Sequence, residues 1–268
     1  MAKKSNKLKI IPLGGLEEIG KNLTVFEYKD DIIVLDCGVA FPDEDMLGID
    51  LVIPDMSYLV KNKARIRGMV VTHGHEDHIG GIPYLLKEIN VPIYGTPLTL
   101  GILSKKLKEH GLLRSAKLMD VQPGDTIKLG EFRIEFIRVN HSIADAVAIA
   151  LHTPAGTVVH TGDFKIDSTP IDGDMIDLTR FGDLGRKGVL ALLSDSTNVE
   201  RGGFSMSERK VGHTFEELFR GCDKRIIVAT FASNVHRVQQ IINCAIDNGR
   251  KVAVSGRSME SVVSAAVE

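Results

Sequence analysis

Cysteine is scarce: Cys37, Cys222 and Cys244 are the only three, scattered and without a CxxC pair. An odd, dispersed set excludes a disulfide framework and a thiolate metal site, and fits reduced thiols in a cytoplasmic protein. Apolar runs are short as well. None reaches the roughly 18 residues of a membrane span, so no membrane partner is expected. The opening "MAKKSNKLKI" is basic but leads into a strand-like stretch, not the apolar core of a signal peptide. Net charge is only −2, from 33 basic and 35 acidic residues. The molecule therefore has no global field for a polyanion, and any nucleic-acid contact must be local.

What is present is an ordinary globular composition, 43% hydrophobic and 25% charged, which opposes disorder. The chain is long enough for one large domain or two smaller ones. Its early segments are β-rich: "KLKIIPLGG", "NLTVFEY", "DDIIVLDCG" and "RGMVVTHG" read as strands between glycine or charged turns. "GGIPYLLKEI" and "TPLTLGILSKKLKEHG" read as helices, the second closing on lysines, His110 and a glycine stop. A dense strand series follows in "AKLMDV", "DTIKLG", "EFRIEFIRVNH", "AVAIALHT" and "GTVVHTGDF". Sheets interrupted by helices predict an α/β layered domain. After residue 195 the pattern changes, and "SERKVGHTFEELFRGC", "KRIIVATF", "NVHRVQQIINCAIDNG", "RKVAVSG" and "RSMESVVSAAVE" alternate helix with strand. That alternation predicts a parallel sheet. We expect a first unit over residues 1–200 and an unfinished second over 201–268, stopping inside a helix.

The histidines are unevenly spread. Three of the nine fall in "HGHEDH", residues 73–78, directly after an apolar run. Extended residues two apart point the same way, so His73 and His75 can converge on one ion. Asp77 and His78, where a helix starts, can turn toward a second point nearby. Imidazole and carboxylate without thiolate suit zinc or manganese, with positions left open for water. A solvated polar turn is the bland alternative, and this histidine density behind a buried strand opposes it. Further ligands must come from elsewhere. His141 in "RVNHSIAD" and Asp163 in "VVHTGDF" sit at strand ends, and a carboxylate such as Asp163 can bridge two cations. His152 and His160 compete, but each reads more simply as a packed strand histidine. Asp36, after "IIVL", either fixes the tautomer of a ligand histidine or merely opens a turn.

His73-x-His75-x-Asp77-His78, with Asp36 before it and His141 and Asp163 after it, resembles the metal signature of the metallo-β-lactamase fold. That fold is an αββα sandwich with a dinuclear site on one edge, and the signature points to a hydrolase more than to a substrate. Other stretches narrow the resemblance. "LGGLEEIGKN", "FPDEDMLGIDLVIPD", "VTHGHEDHIGGIPYLL", "HTGDFKID", "LLSDSTN", "SERKVG", "ATFASNVHRVQQ" and "GRSM" resemble bacterial ribonuclease J in order and spacing, across essentially the whole chain. The fold class expected is therefore α/β, a metallo-β-lactamase sandwich followed by the start of an inserted β-CASP domain, which in that family clamps RNA over the metals.

The resemblance implies that His73, His75, His141 and Asp163 hold one Zn2+ or Mn2+, and that Asp77, His78 and a bridging Asp163 hold another. It matches Asp195 in "SDSTN" to the first acidic motif of the β-CASP nucleases. Ala232, Ser233 and Asn234 match a phosphate-contacting loop, at a helix N-terminus where backbone N–H groups favour phosphate. An ordinary helix cap is the alternative there. Gly48 and Asp50 match a structural Ca2+ position of some relatives, though a loop glycine and a turn aspartate need no ion.

The implied activity is metal-dependent RNA hydrolysis in RNA maturation and decay, both endonucleolytic and 5′-to-3′ exonucleolytic, favouring 5′-monophosphate ends. Asp77 or Asp195 would orient the nucleophile, and backbone contacts and stacking would bind the RNA. Some paralogues have lost part of the histidine loop and serve as partners of an active copy; this chain keeps all four residues. A homo-oligomer or paralogue complex is implied at full length. Members of the family are longer, so the chain reads as truncated. The absent part would carry the rest of the β-CASP domain, a second phosphate loop, a histidine that assists leaving-group departure, the seventh metal ligand and a dimerisation domain. Neither His213 nor His236 sits in the context expected of that histidine. Two other readings are a small-molecule hydrolase of the same fold, such as a thioesterase or lactonase, and a non-catalytic RNA-binding or assembly partner.

Overall fold

Strands such as "DIIVL" and "VAIAL" are apolar at every position, the pattern of a strand covered on both faces. The computed structural model, which describes residues 7–171 and 173–267, places both inside a pair of packed sheets. The first sheet is β1 (Leu8–Gly14), β2 (Leu23–Tyr28), β3 (Asp31–Leu35), β4 (Ile66–Val70), β5 (Pro92–Gly95) and β6 (Lys117–Asp120), hydrogen-bonded in that order. β1 to β3 pair antiparallel, whereas β3 to β6 are parallel. The second sheet holds β7 (Thr126–Leu129), β8 (Phe132–Arg138), β9 (Val147–Thr153), β10 (Gly156–His160) and β11 (Ala191–Leu193), each beside the next in sequence. It is antiparallel except for the β10–β11 pair.

Alternate residues of each strand face different layers. Phe26, Ile33, Leu35 and Val70 of the first sheet meet Phe132, Ile134, Phe136, Ile149 and Leu151 of the second between the sheets. Val25, Ile32, Val34 and Met69 face outward, under α1 (Ser57–Lys61), α2 (Glu76–Ile79), α3 (Ile82–Leu86) and α4 (Pro97–Glu109). On the opposite side, Ala148, Ala150 and Val159 pack against Leu184 of α5 (Leu178–Lys187). The layers are helix, sheet, sheet, helix.

This topology gathers the loops that matter at one edge. β8, β10 and β11 run the same way, because β9 between β8 and β10 is antiparallel to both. The chain leaving them enters the same edge as the chain leaving β3 and β4. His141, Asp163, Asp195, Asp36 and residues 73–78 all follow those strand ends.

After β11 come α6 (Glu208–Phe219), α7 (Val235–Asp247) and α8 (Arg257–Val267). α6 packs along α7 around Phe219, Cys244 and Ala245, and α8 rests on α4. The strands predicted for "KRIIVATF" and "RKVAVSG" are not formed: residues 225–230 and 250–255 make no ladder. Ile227 is 88% exposed. A strand needs a hydrogen-bonding neighbour to be one, and neither segment has one among the described residues. The alternation was read correctly for the helices, and pairing is what local sequence cannot supply.

Candidate metal centre

β4 is buried, and its chain continues extended through Val71 and Thr72 to His73, which is fully buried. His75 then occupies the N-cap position of α2 with extended backbone, and Asp77 and His78 fall in the first turn. Two-residue alternation brings His73 Nε2 within 3.0 Å of His75 Nδ1. His141 Nε2 arrives from the β8 end, 3.2 Å from the same His75 nitrogen.

Asp163 stands between two groups of donors. Its Oδ2 lies 3.7 Å from His141 Nε2 and 4.0 Å from His73 Nε2. Its Oδ1 lies 3.3 Å from His78 Nε2. Asp77 Oδ2, one-third exposed, is 3.6 Å from His78 Nε2 on the solvent side. His73, His75 and His141 form one cluster that could hold a metal ion, and His73, His78 and Asp163 another, with donor atoms within 4.8 Å of each other in each. Five of the six ligands proposed from the sequence fall in these clusters, and Asp77 lies beside them, against His78, but in neither.

The electrostatics suit cation binding. Burial, then the neighbouring imidazoles of His78, His75 and His141, hold His73 well below its usual pKa. Burial also lowers His75 and takes His141 down to about 4. These rings are neutral at pH 7 and offer lone pairs. Burial opposes ionisation of Asp163, but the His78 hydrogen bond and the surrounding imidazoles outweigh it and leave the carboxyl at about 2. His78 goes the other way: against burial, Asp36 and Asp163 lift it well above the ordinary value. Three neutral imidazoles beside an ionised carboxylate, with no thiolate, are the donor chemistry of zinc or manganese, and His78 has to release its proton to join them.

Asp36 sits beneath this layer. Its carboxylate accepts from Thr72 N–H at 2.8 Å and from Thr72 Oγ1 at 2.9 Å, and faces His78 Nδ1 at 2.8 Å. That contact leaves His78 Nε2 as the atom turned to the cluster. The backbone of Asp36 is left-handed, φ 56°, a conformation tolerated by aspartate better than by most residues. Gly38 follows, and a Cβ there would come 1.5 Å from the Asp77 carbonyl oxygen. Only glycine lets the two loops approach so closely.

The other candidates divide. His160 accepts from Gly162 N–H and belongs to neither metal-capable cluster. His152 bonds Glu135 and Thr157 in a separate polar group with Arg180. Asp195 borders a cavity shared with Asp77, His78 and Asp163, and its Oδ1 accepts from Thr197 N–H and Oγ1. Asn234 caps α7 by accepting from Arg237 N–H at 3.1 Å. The same Ala232–Ser233–Asn234 turn lines a cleft with His75, Glu76 and Asp77. Gly48 has φ 78° in an exposed turn, and neighbouring Asp50 belongs to neither metal-capable cluster.

Two residues at the centre escape the sequence reading. Thr72 Oγ1 contacts His73 Nδ1 at 3.0 Å as well as Asp36. Asn22 Nδ2 lies within 3.3 Å of both Asp77 Oδ2 and His78 Nε2. Threonine in a strand end and asparagine before a strand carry no local mark of such contacts.

The chain is similar to known proteins. The metallo-beta-lactamase superfamily model matches residues 17–193, and that of the ribonuclease J beta-CASP domain matches residues 223–268. Ribonuclease J of Synechocystis sp. is 54% identical over 96% of this chain and 40% of its own length. Ribonuclease J 1 of Streptococcus pyogenes is 49% identical over 99% of the chain and 47% of its own length. The chain spans less than half the length of these relatives. A crystal structure of a protein of unknown function from Enterococcus faecalis superposes with TM-score 0.65 at 20% identity, over 88% of this chain and 63% of that one, which speaks for the fold alone. With the first of these models covering well over half its residues, the chain belongs to the metallo-beta-lactamase superfamily, and within it resembles the N-terminal part of ribonuclease J.

Proposed function

We propose that the protein is a metal-dependent ribonuclease of the ribonuclease J type, cutting RNA internally and trimming it from 5′-monophosphate ends. One observation carries this reading: the two oxygens of Asp163 face different donor groups, in a chain about half identical to ribonuclease J relatives. His73, His75, His141 and Asp163 would hold one zinc or manganese, and Asp77, His78 and Asp163 the other. Such a pair supplies charge neutralisation at a phosphodiester and acidifies water for attack.

The chain's own groups do the rest. Asp163, ionised at neutral pH, would offer one oxygen to each cation. Asp36 fixes the His78 ring. Asp77 and Asp195 border the cavity at the centre and would orient the attacking water. The Asn234 turn faces the cleft beside His75, where backbone N–H groups at the start of α7 would hold a substrate phosphate. A calcium ion at the Gly48–Asp50 turn, cytoplasmic location, and self-association or pairing with a paralogue belong to the same reading. No helix among the described residues is long and apolar enough to cross a membrane.

The test is hydrolysis of an end-labelled 5′-monophosphorylated RNA with manganese, beside chromogenic ester and lactone substrates. RNA cleavage leaving 5′-phosphates is expected. Ester or lactone turnover with intact RNA would make the protein a small-molecule hydrolase, and RNA binding without cleavage would make it an assembly partner.

A further inference from the structure

Asn22 ends the glycine-rich loop between β1 and β2 and is stitched into the metal loop by its backbone. Its N–H donates to the Asp77 carbonyl at 3.1 Å, and its own carbonyl accepts from Gly38 N–H at 3.0 Å. The side chain adds more. Nδ2 lies 3.1 Å from the Asp77 carbonyl oxygen and 3.3 Å from Asp77 Oδ2. Both of those atoms only accept, so the amide nitrogen, not its oxygen, must face them. The same nitrogen lies 3.1 Å from His78 Nε2. That ring nitrogen's single lone pair serves either this amide or a cation, so the contact is given up when a metal binds and the hold on Asp77 is what remains. The amide is confined from behind: a Cβ on Gly15 would come 2.6 Å from Asn22 Oδ1.

These contacts fall on one half of the centre. Asp77 and His78 belong to the second donor group, and no contact joins Asn22 to His73, His75 or His141 in the hydrogen bonds described. The Asp77 side chain is 33% exposed, more than those of Asp163 at 29% and His78 at 2%, its neighbours in the second donor group. A partly exposed carboxylate loses rotamer freedom when it binds a cation, and a donor that holds it in place beforehand reduces that cost. An amide N–H does this without coordinating, because a carboxylate has lone pairs enough to accept a hydrogen bond and bind a metal together.

We propose that Asn22 is a positioning residue for the second cation: its amide holds Asp77 toward His78 and Asp163. The proposal rests on the two-metal reading above. Its test is a manganese titration of the metal-free protein, followed by calorimetry and by the electron paramagnetic resonance of coupled manganese pairs. Wild type, Asn22→Ala and Asn22→Ser are compared, with thermal unfolding of each metal-free form as the folding control. Both substitutions keep the backbone bonds of residue 22, and serine keeps a short donor. In Asn22→Ala the first cation should bind as in wild type, while the second weakens about tenfold or more, the range for partners of metal ligands, and the coupled-pair signal fades. Asn22→Ser should fall between. Unchanged second-site affinity in both variants overturns the proposal, as does equal weakening of both sites in a folded variant. A wild type that never binds a second cation overturns the two-metal reading itself, and leaves Asn22 nothing to position.

Discussion

Asp36 shows how much one side chain decides. It joins Thr72, at the end of β4, to His78 in the first turn of α2, and it does so from a left-handed backbone position. Asp36→Asn keeps the shape and removes the charge that orients and lifts His78. We expect metal affinity, read by competition with a chromogenic chelator, to drop about 10–100-fold, as for other partners of ligand histidines. Glu27 gives a second residue-scale prediction, away from the centre. Burial would raise its pKa, but hydrogen bonds from Lys9, Tyr58 and Arg65 prevail and hold it at about 2, below the ordinary 4.5. A depressed carboxyl stabilises the fold above its unfolded pKa and loses that contribution as pH falls toward the folded one. In urea unfolding, Glu27→Gln should therefore be least stable relative to wild type above about pH 5, and the gap should close toward pH 2. Histidine density and two-residue spacing made His73, His75 and His78 legible in the sequence. Asn22 was not, because its side chain acts on residues 55 and 56 positions away.

At the scale of elements, the strands with two apolar faces were legible, since their composition is itself the mark of burial between layers. β3 and β9 are such strands, and each carries its alternation into two separate cores. What could not be read is partnership. "IIVAT" and "KVAVS" have the composition of strands, yet residues 225–230 and 250–255 have no ladder. The expectation of a parallel sheet there fails for that reason. Hydrogen exchange reports the difference directly, because unpaired backbone amides exchange from the native state without opening. Amides of residues 225–230 should exchange within seconds to minutes, while those of Val147–Leu151 in β9 stay protected for as long as the fold persists. Slow exchange across 225–230 would mean that those amides are paired after all.

For the whole molecule, the decisive fact is topological. Two sheets present the ends of β3, β4, β8, β10 and β11 to a common edge, so the proposed ligands, far apart in sequence, meet without any long excursion. A net charge of −2 supplies no general attraction for a polyanion, so under the proposed function RNA would have to be held at this edge. Everything then turns on Asp163 as the shared carboxylate. The direct measurement is manganese content per chain after equilibration with saturating metal and a gel-filtration step, for wild type, Asp163→Ala and His160→Ala. The account predicts one firmly held manganese ion and a second held more weakly in wild type, loss of both in Asp163→Ala, and wild-type content in His160→Ala. No metal in wild type, or equal loss in the two variants, would contradict it.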